Sequence, residues 1–327
     1  MGQEKMSHHV ASSGEPVTIG IDVSKSHLDA HSLPAGSSQR FSNDEAGIEG
    51  LIRWAEPHQP ARILFEATGA YHRRLEGALG KAGLPAVKLN PWQARRFAEA
   101  TGRRAKTDTV DAAMLARFGA TLRPDLTPAR DEAIDQLKEL LSARRALIKD
   151  RTAASNRAKT RTLALLVAQC AERRRQISEQ IKAIDRACQA ILAQNPALKE
   201  RYAILTSIRG IGPVAAFALL ADMAELGTID AKHAASLAGL APVTRQSGAW
   251  QGKSFIQGGR KPPRDALYMP AVAAIRFNPP LKAKYQALIA AGKPAKVALV
   301  AIMRKLLIIA NALLRDNRKW TAEVAHA

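Results

Sequence analysis

Four carboxylates, Asp22, Glu66, Asp108 and Asp111, carry the chemistry most readable in this chain. Asp22 lies in the apolar, strand-like run 17–23, and Glu66 closes a second such run at 61–66. Asp108 and Asp111 are three residues apart in 106–117, a segment of helical character, and positions i and i+3 share one helix face. Acids gathered at strand ends beside a helix repel one another unless a divalent cation joins them. Hard oxygen ligands select magnesium, with manganese as the alternative, and paired ions of this kind are a common engine for cutting phosphodiesters. Each acid alone has an ordinary structural explanation; Asp108 would favour the positive end of a helix dipole. The set of four, in a strongly basic chain, points to a metal-dependent nucleic-acid enzyme.

The 327 residues carry 49 Lys and Arg against 29 Asp and Glu, a net charge of +20 with a pI near 10.4. Such a field favours a polyanionic partner, most simply DNA or RNA. The charge is uneven: residues 231–315 hold one acid, Asp265, against 14 Lys and Arg. The carboxylates and the polyanion-gripping surface therefore belong to different parts of the chain. Only Cys170 and Cys188 are present, so there is neither a disulfide framework nor a zinc pattern. The most apolar stretch, 297–314, is broken at its centre by Arg304 and Lys305, which argues against a membrane span. With no signal peptide visible, a cytoplasmic, nucleoid-associated bacterial protein is the expected setting.

These residues need a frame to hold them. Residues 16–118 alternate strand and helix, with strands at 18–23, 27–32, 39–41, 62–66 and 86–89. Helices follow from an Asn43 cap, over 71–82, and over 91–101 with Pro91 in the first turn. A hairpin followed by alternating elements predicts an α/β layer with a mixed sheet, matching the ribonuclease-H-like architecture. Residues 131–195 are proline-free and helix-compatible, as in a coiled coil or helical hairpin. The basic centre of that segment holds Arg144, Arg145, Lys149, Arg151, Arg157, Lys159 and Arg161. It is either a solvated face or a lever that dimerises and touches nucleic acid.

Beyond Pro196, residues 205–215 read as helix, Gly-x-Gly turn and helix. Gly210 and Gly212 either present backbone N–H groups to a phosphate or make an ordinary αα-turn. Residues 239–264 are rich in Gly, Ser and basic side chains, including Arg245, Ser247, Lys253, Ser254, Arg260 and Lys261. A loop or short hairpin with hydroxyls among cations suits a nucleophile meeting a phosphate. A final helix pair is expected at 266–276 and 293–315.

Gly20-Ile21-Asp22-Val23-Ser24-Lys25, Phe65-Glu66-Ala67-Thr68-Gly69, Asn90-Pro91 and Ala105-Lys106-Thr107-Asp108-Thr109-Val110-Asp111-Ala112 together resemble the DEDD-motif transposases of insertion-sequence family one hundred and ten, the bridge-RNA-guided recombinases. Thr206 to Pro213, Gly239-Leu240-Ala241-Pro242 and Gln246-Ser247-Gly248 resemble that family's second domain. The resemblance implies a RuvC-like domain (16–155) with Asp22, Glu66, Asp108 and Asp111 on magnesium, a coiled-coil linker (156–198) and a transposase domain (199–327), while the N-terminal extension (1–15) is longer than the family's pattern and is expected to be disordered. It implies that Ser247 is the nucleophile, with Ser254 as its local rival. It further implies donor and target DNA as substrates, a structured bridge RNA as guide, and a dimer of dimers in which the acids of one protomer work beside the serine of another. The set of nucleic-acid-binding candidates is then Lys106, Arg144, Arg145, Lys149, Arg151, Arg157, Lys159, Gly210, Gly212, Arg245, Lys253, Arg260 and Lys261. A Holliday-junction-type endonuclease that uses water, and a non-catalytic basic scaffold, are the alternatives.

Overall fold

The computed structural model describes residues 15–67, 69, 71–102, 108–127, 131–244, 246–247, 250–252 and 254–321. Nearly all of the extension expected at 1–15 lies outside them, as do Lys106, Arg245 and Lys253. The chain divides into two compact units, 1–130 and 131–327.

In the first unit, β1 (Thr18–Val23), β2 (His27–Leu33) and β3 (Ser38–Ser42) form an antiparallel meander, followed by α1 (Glu45–Ala55). The chain continues through β4 (Arg62–Glu66), α2 (Arg73–Lys81), β5 (Ala86–Leu89), α3 (Pro91–Ala100) and α4 (Asp108–Leu122). The sheet order is β3-β2-β1-β4-β5, with β1, β4 and β5 parallel. This is the mixed, ribonuclease-H-like sheet that the sequence predicts. Strand alternation sorts the core into two layers. Ile19, Ile21, Ile63 and Phe65 pack with Leu51 of α1 and Leu75 and Leu79 of α2. Leu64, Val87 and Leu89 pack on the other face with Ala94 of α3 and Leu115 and Phe118 of α4. The cap of α1 differs from expectation by one residue. Asp44 accepts from the Gly47 N–H at 2.8 Å, while the Asn43 amide donates to the Ser24 and Tyr71 carbonyls and ties loops together.

The second unit opens with a helical hairpin, α5 (Glu132–Ala158) and α6 (Ala164–Gln194), as the proline-free stretch predicts. The two helices run antiparallel: Arg144 pairs with Asp185, and Ala154 and Arg157 lie beside Cys170 and Arg173. The division at 130–131 places all of α5 in this unit, whereas a boundary drawn at 155 would cut that helix near its end. Next come α7 (Pro196–Ser207), α8 (Pro213–Asp222) and α9 (Ala231–Leu237). The expected final pair is three helices, α10 (Lys261–Phe277), α11 (Pro279–Ala290) and α12 (Ala295–Arg315). Asn278 makes the extra corner, since its side chain caps α11 at Leu281 and donates to the Arg209 carbonyl. By length and composition α12 is apolar enough to cross a membrane, yet it is the core helix of this unit. Ile302, Leu306, Leu307 and Ala310 are fully buried on it, and the buried Asn311 bonds the backbone of Gly227 and Ile229.

Candidate active site

The acid edge is built by backbone register. β1 and β4 run parallel with Thr18 opposite Arg62, Gly20 opposite Leu64 and Ile21 opposite Phe65. One step further along, at the C-terminal edge of the sheet, come Asp22 and Glu66. Asp22 shares a face with Gly20, and Glu66 with Leu64, because side chains alternate along a strand. That face is covered by α4. A Cβ on Gly119 would lie 2.6 Å from Thr18 and 2.3 Å from Leu64, and one on Gly20 would lie 2.1 Å from the Ala112 carbonyl and 2.4 Å from the Ala116 nitrogen. Helix α4 thus runs antiparallel to β1, its late residues over Thr18 and its middle over Gly20. Continuing that progression puts its first turn, Asp108 to Asp111, at the edge where Asp22 and Glu66 stand.

Asp22, Glu66 and Asp111 are half-buried and already engaged in polar interactions. The side chain of Asp108 lies outside the described residues. Among the described residues, no three Asp, Glu, His or Cys side chains are grouped closely enough to hold a metal ion. The all-carboxylate donor set nevertheless has the chemistry of a hard divalent cation such as magnesium.

Behind this edge, on the α2 side of the sheet, lies a compact ionic group that sequence reasoning missed. His72 stacks on Phe65, Glu76 receives the Lys88 ammonium at 2.5 Å, and His72 lies 3.6 Å from Glu76. Phe65 and Lys88 are opposite each other on β4 and β5, so the trio braces the strand that ends in Glu66. The i, i+4 spacing of His72 and Glu76 was the available signal.

Ser247 sits in the second unit on a thin two-stranded arm. At the root β6 (Pro242–Val243) pairs with β9 (Phe255–Ile256), and nearer the tip β7 (Gln246–Ser247) pairs with β8 (Trp250–Gln251). Ser247 is exposed and opposite Trp250, the last pair before the turn. Ser254, also exposed, immediately precedes β9 at the root. The root is clamped. Gly239 has φ +64, and a Cβ there would lie 2.2 Å from both the Gly258 carbonyl and the Arg264 guanidinium. Arg264 donates to the Gly258 and Gly239 carbonyls, and the Arg260 N–H donates to the Leu237 carbonyl at 2.7 Å.

Several candidate binding cations have intramolecular partners instead. Arg144 makes a two-pronged pair with Asp185 across the hairpin. Arg145 pairs with Asp222, Lys261 with Asp265, and Arg260 grips both the Glu225 carboxylate and the Asp222 carbonyl. Burial raises the Asp222 carboxyl above its ordinary range, an effect that Arg145 only partly offsets. Burial pushes Glu225 upward too, but the Arg260 hydrogen bonds, a backbone N–H and the charges of Arg260 and Lys138 together bring the carboxyl below its ordinary value. Lys261 and Asp265 are an i, i+4 pair within α10, but helix spacing could not reveal the partners of Arg144, Arg145 and Arg260, which lie on other elements. Lys149, Arg151, Arg157 and Lys159 are exposed along the outer half of the hairpin. Across the groove between the helices, Arg157 faces Arg173 on one side and Arg151 faces Arg174 on the other. The turn at Gly210 and Gly212 joins α7 to α8 as expected. Gly210, at φ +115, is also required by packing, since a Cβ there would lie 2.9 Å from the Pro270 carbonyl of α10. At Gly212 the same construction meets open space.

An acid-edged mixed sheet followed by a basic helical unit is the frame of a DNA-processing enzyme, and comparison with known proteins specifies which. Residues 19–167 match the sequence profile of the DEDD transposases of IS110 type, and residues 202–286 match that of the transposase IS116/IS110/IS902 family. The pilin gene-inverting protein of Moraxella lacunata is 33% identical over 321 residues, covering 94% of this chain and 98% of its own. The insertion element IS116 protein of Streptomyces clavuligerus is 25% identical over 93% of this chain and 96% of its own. Among solved structures, Thermus thermophilus RuvC in complex with a Holliday junction substrate matches 33% of this chain and 96% of its own at 14% identity, with a TM-score of 0.25. The chain belongs to the IS110 family of transposases, and it is a DNA transposase or recombinase.

Proposed function

We propose that this transposase exchanges strands between a donor and a target DNA through a covalent serine intermediate, guided by a structured RNA. The observation that carries the catalytic part is the placement of Asp22 and Glu66 at neighbouring strand ends, with the first turn of α4 reaching the same edge. Asp22, Glu66, Asp108 and Asp111 would hold magnesium. Bound there, the metal supplies charge stabilisation at the phosphate under attack and lowers the cost of deprotonating a hydroxyl.

The chain's own residues do the rest. The exposed Ser247 Oγ forms a bond to phosphorus as the strand's P–O bond breaks, its proton is given up, and the departing oxygen leaves as a free hydroxyl. The step is redox-neutral. Attack by a different DNA hydroxyl on the phosphoserine reverses it and seals a new strand pair without an external energy source. Exposed Leu163, Leu165 and Val167 at the hairpin turn favour contact with a second copy, in keeping with an oligomer that brings one protomer's serine to another's acids. Guide RNA and DNA backbones would be gripped by cations such as Lys149, Arg151, Arg157 and Lys159.

Asp22→Asn is the test, since it removes charge with little change in volume. The variant should fold and bind DNA as before but lose strand cleavage by several orders of magnitude. Cleavage at the normal rate would remove the acid edge from the mechanism.

A further inference from the structure

Helix α3 starts at the same sheet edge as the acids. It follows β5, which runs parallel to β1 and β4, and Phe97 near its other end packs at 5.1 Å on Phe118, a residue level with Thr18 at the far edge. The first turn of α3 is therefore at the carboxylate edge. Ala94, Phe97 and Ala98 turn inward to the core, which leaves Trp92, Arg95 and Arg96 on the outer face. Trp92 is 64% exposed, an unusual state for the largest apolar side chain. Its backbone is fixed at the start of the helix, and its ring has a cation beside it. The Asn90 side chain accepts from the Trp92 N–H at 2.9 Å, Pro91 fixes the first helical position, and the Arg96 guanidinium sits 5.4 Å from the ring centre.

From this geometry we infer that Trp92, backed by Arg96, is a stacking platform for an unpaired base of the DNA strand led to the acid edge. An exposed indole on a fixed helical turn offers a flat apolar surface at small entropic cost. Base–aromatic stacking accepts any base, which suits a site whose sequence choice is made elsewhere. Arg95 and Arg96, with side chains 81% and 63% exposed, share the single Glu99 carboxylate at 3.3 and 2.8 Å, so one net positive charge is left on this face for the flanking phosphates. The inference rests on the acid edge being where DNA is cut, but its readout does not need cutting.

The experiment uses the full chain carrying Asp22→Asn, so that DNA stays intact, titrated with single-stranded DNA, the blunt duplex of the same sequence, and the single-stranded RNA equivalent. Single-stranded DNA should quench part of the tryptophan emission, and Trp92→Phe should abolish that part while keeping most of the affinity. Trp92→Ala should weaken single-strand binding roughly ten- to hundredfold and duplex binding far less, with an unchanged thermal midpoint because the ring is outside the core. Unchanged quenching and affinity in both variants would overturn the platform while leaving the acid site standing. A response to RNA alone, or one that tracks protein concentration without nucleic acid, would equally overturn it by naming a different occupant.

Discussion

Gly20 and Ala112 approach so closely that a Cβ on Gly20 would lie 2.1 Å from the Ala112 carbonyl oxygen. This contact sets the height of α4 above β1, and with it the position of the helix's first turn relative to the sheet edge. Gly20→Ala should push the helix off the sheet at a cost of about 1–3 kcal/mol or more, since backbone rather than a flexible side chain is in the way. Strand cleavage should fall further than stability accounts for, measured on the folded fraction at reduced temperature. A variant with normal activity and normal thermal midpoint would show that the acid edge tolerates a shifted helix.

The hairpin cations separate binding from folding. Arg157 and Lys159 are exposed near the end of α5, whereas Arg260 is built into the clamp on Glu225 and Asp222. Replacing both Arg157 and Lys159 by alanine should weaken nucleic-acid binding and lower the slope of log affinity against log salt by roughly one to two units. Arg260→Ala should instead lower the thermal midpoint. An unaltered salt slope in the double variant would remove the outer hairpin from the binding surface.

The Glu225–Arg260 clamp should also respond to acid. The Glu225 carboxyl is held below its ordinary value, so its contribution to stability is present above the ordinary glutamate range and is lost as pH falls through the depressed value. Asp222 works in the opposite sense, because burial raises its carboxyl and protonation relieves the buried charge. Glu225→Gln should lower the thermal midpoint at neutral pH and flatten its decline below the ordinary glutamate range. Midpoint curves of equal slope for the two proteins would rule the clamp out as an acid-sensitive element.

Periodicity made most of this architecture legible. The short apolar runs at 17–23 and 61–66 placed Asp22 and Glu66 on strands, and the missing prolines in 131–195 gave the long hairpin. Long-range pairing was not legible. Nothing local marks Arg144 for Asp185 or Arg260 for Glu225, so cations that lock the fold looked like cations for a polyanion. The helix between the two expected at 266–276 and 293–315 was not legible either, because the Asn278 cap at Leu281 and its bond to the Arg209 carbonyl create the corner between α10 and α11. The helix at 91–101 was legible, but not which of its faces is buried: the core takes Ala94 and Phe97 and leaves Trp92 exposed.

Ser247 decides between strand exchange and simple cutting. It is exposed, one pair from the tip of an arm whose root is clamped by Gly239, Gly258 and Arg264. Ser254 immediately precedes β9 at the root, so the two hydroxyls differ in place along the arm though both are exposed. If Ser247 attacks phosphorus, the energy of the broken phosphodiester is kept in the serine–DNA bond and religation needs no cofactor. A water-using nuclease would release free ends that it could not reseal. Ser247→Ala should leave DNA binding and thermal midpoint within experimental error, because the side chain is exposed, and should abolish both the covalent adduct and the recombinant product. Ser254→Ala should retain both. Denaturing electrophoresis of reactions with end-labelled DNA reads the adduct directly as protein-linked label. Recombination at a normal rate by the Ser247 variant would eliminate the serine mechanism, and an adduct lost only in the Ser254 variant would move the nucleophile to the root of the arm.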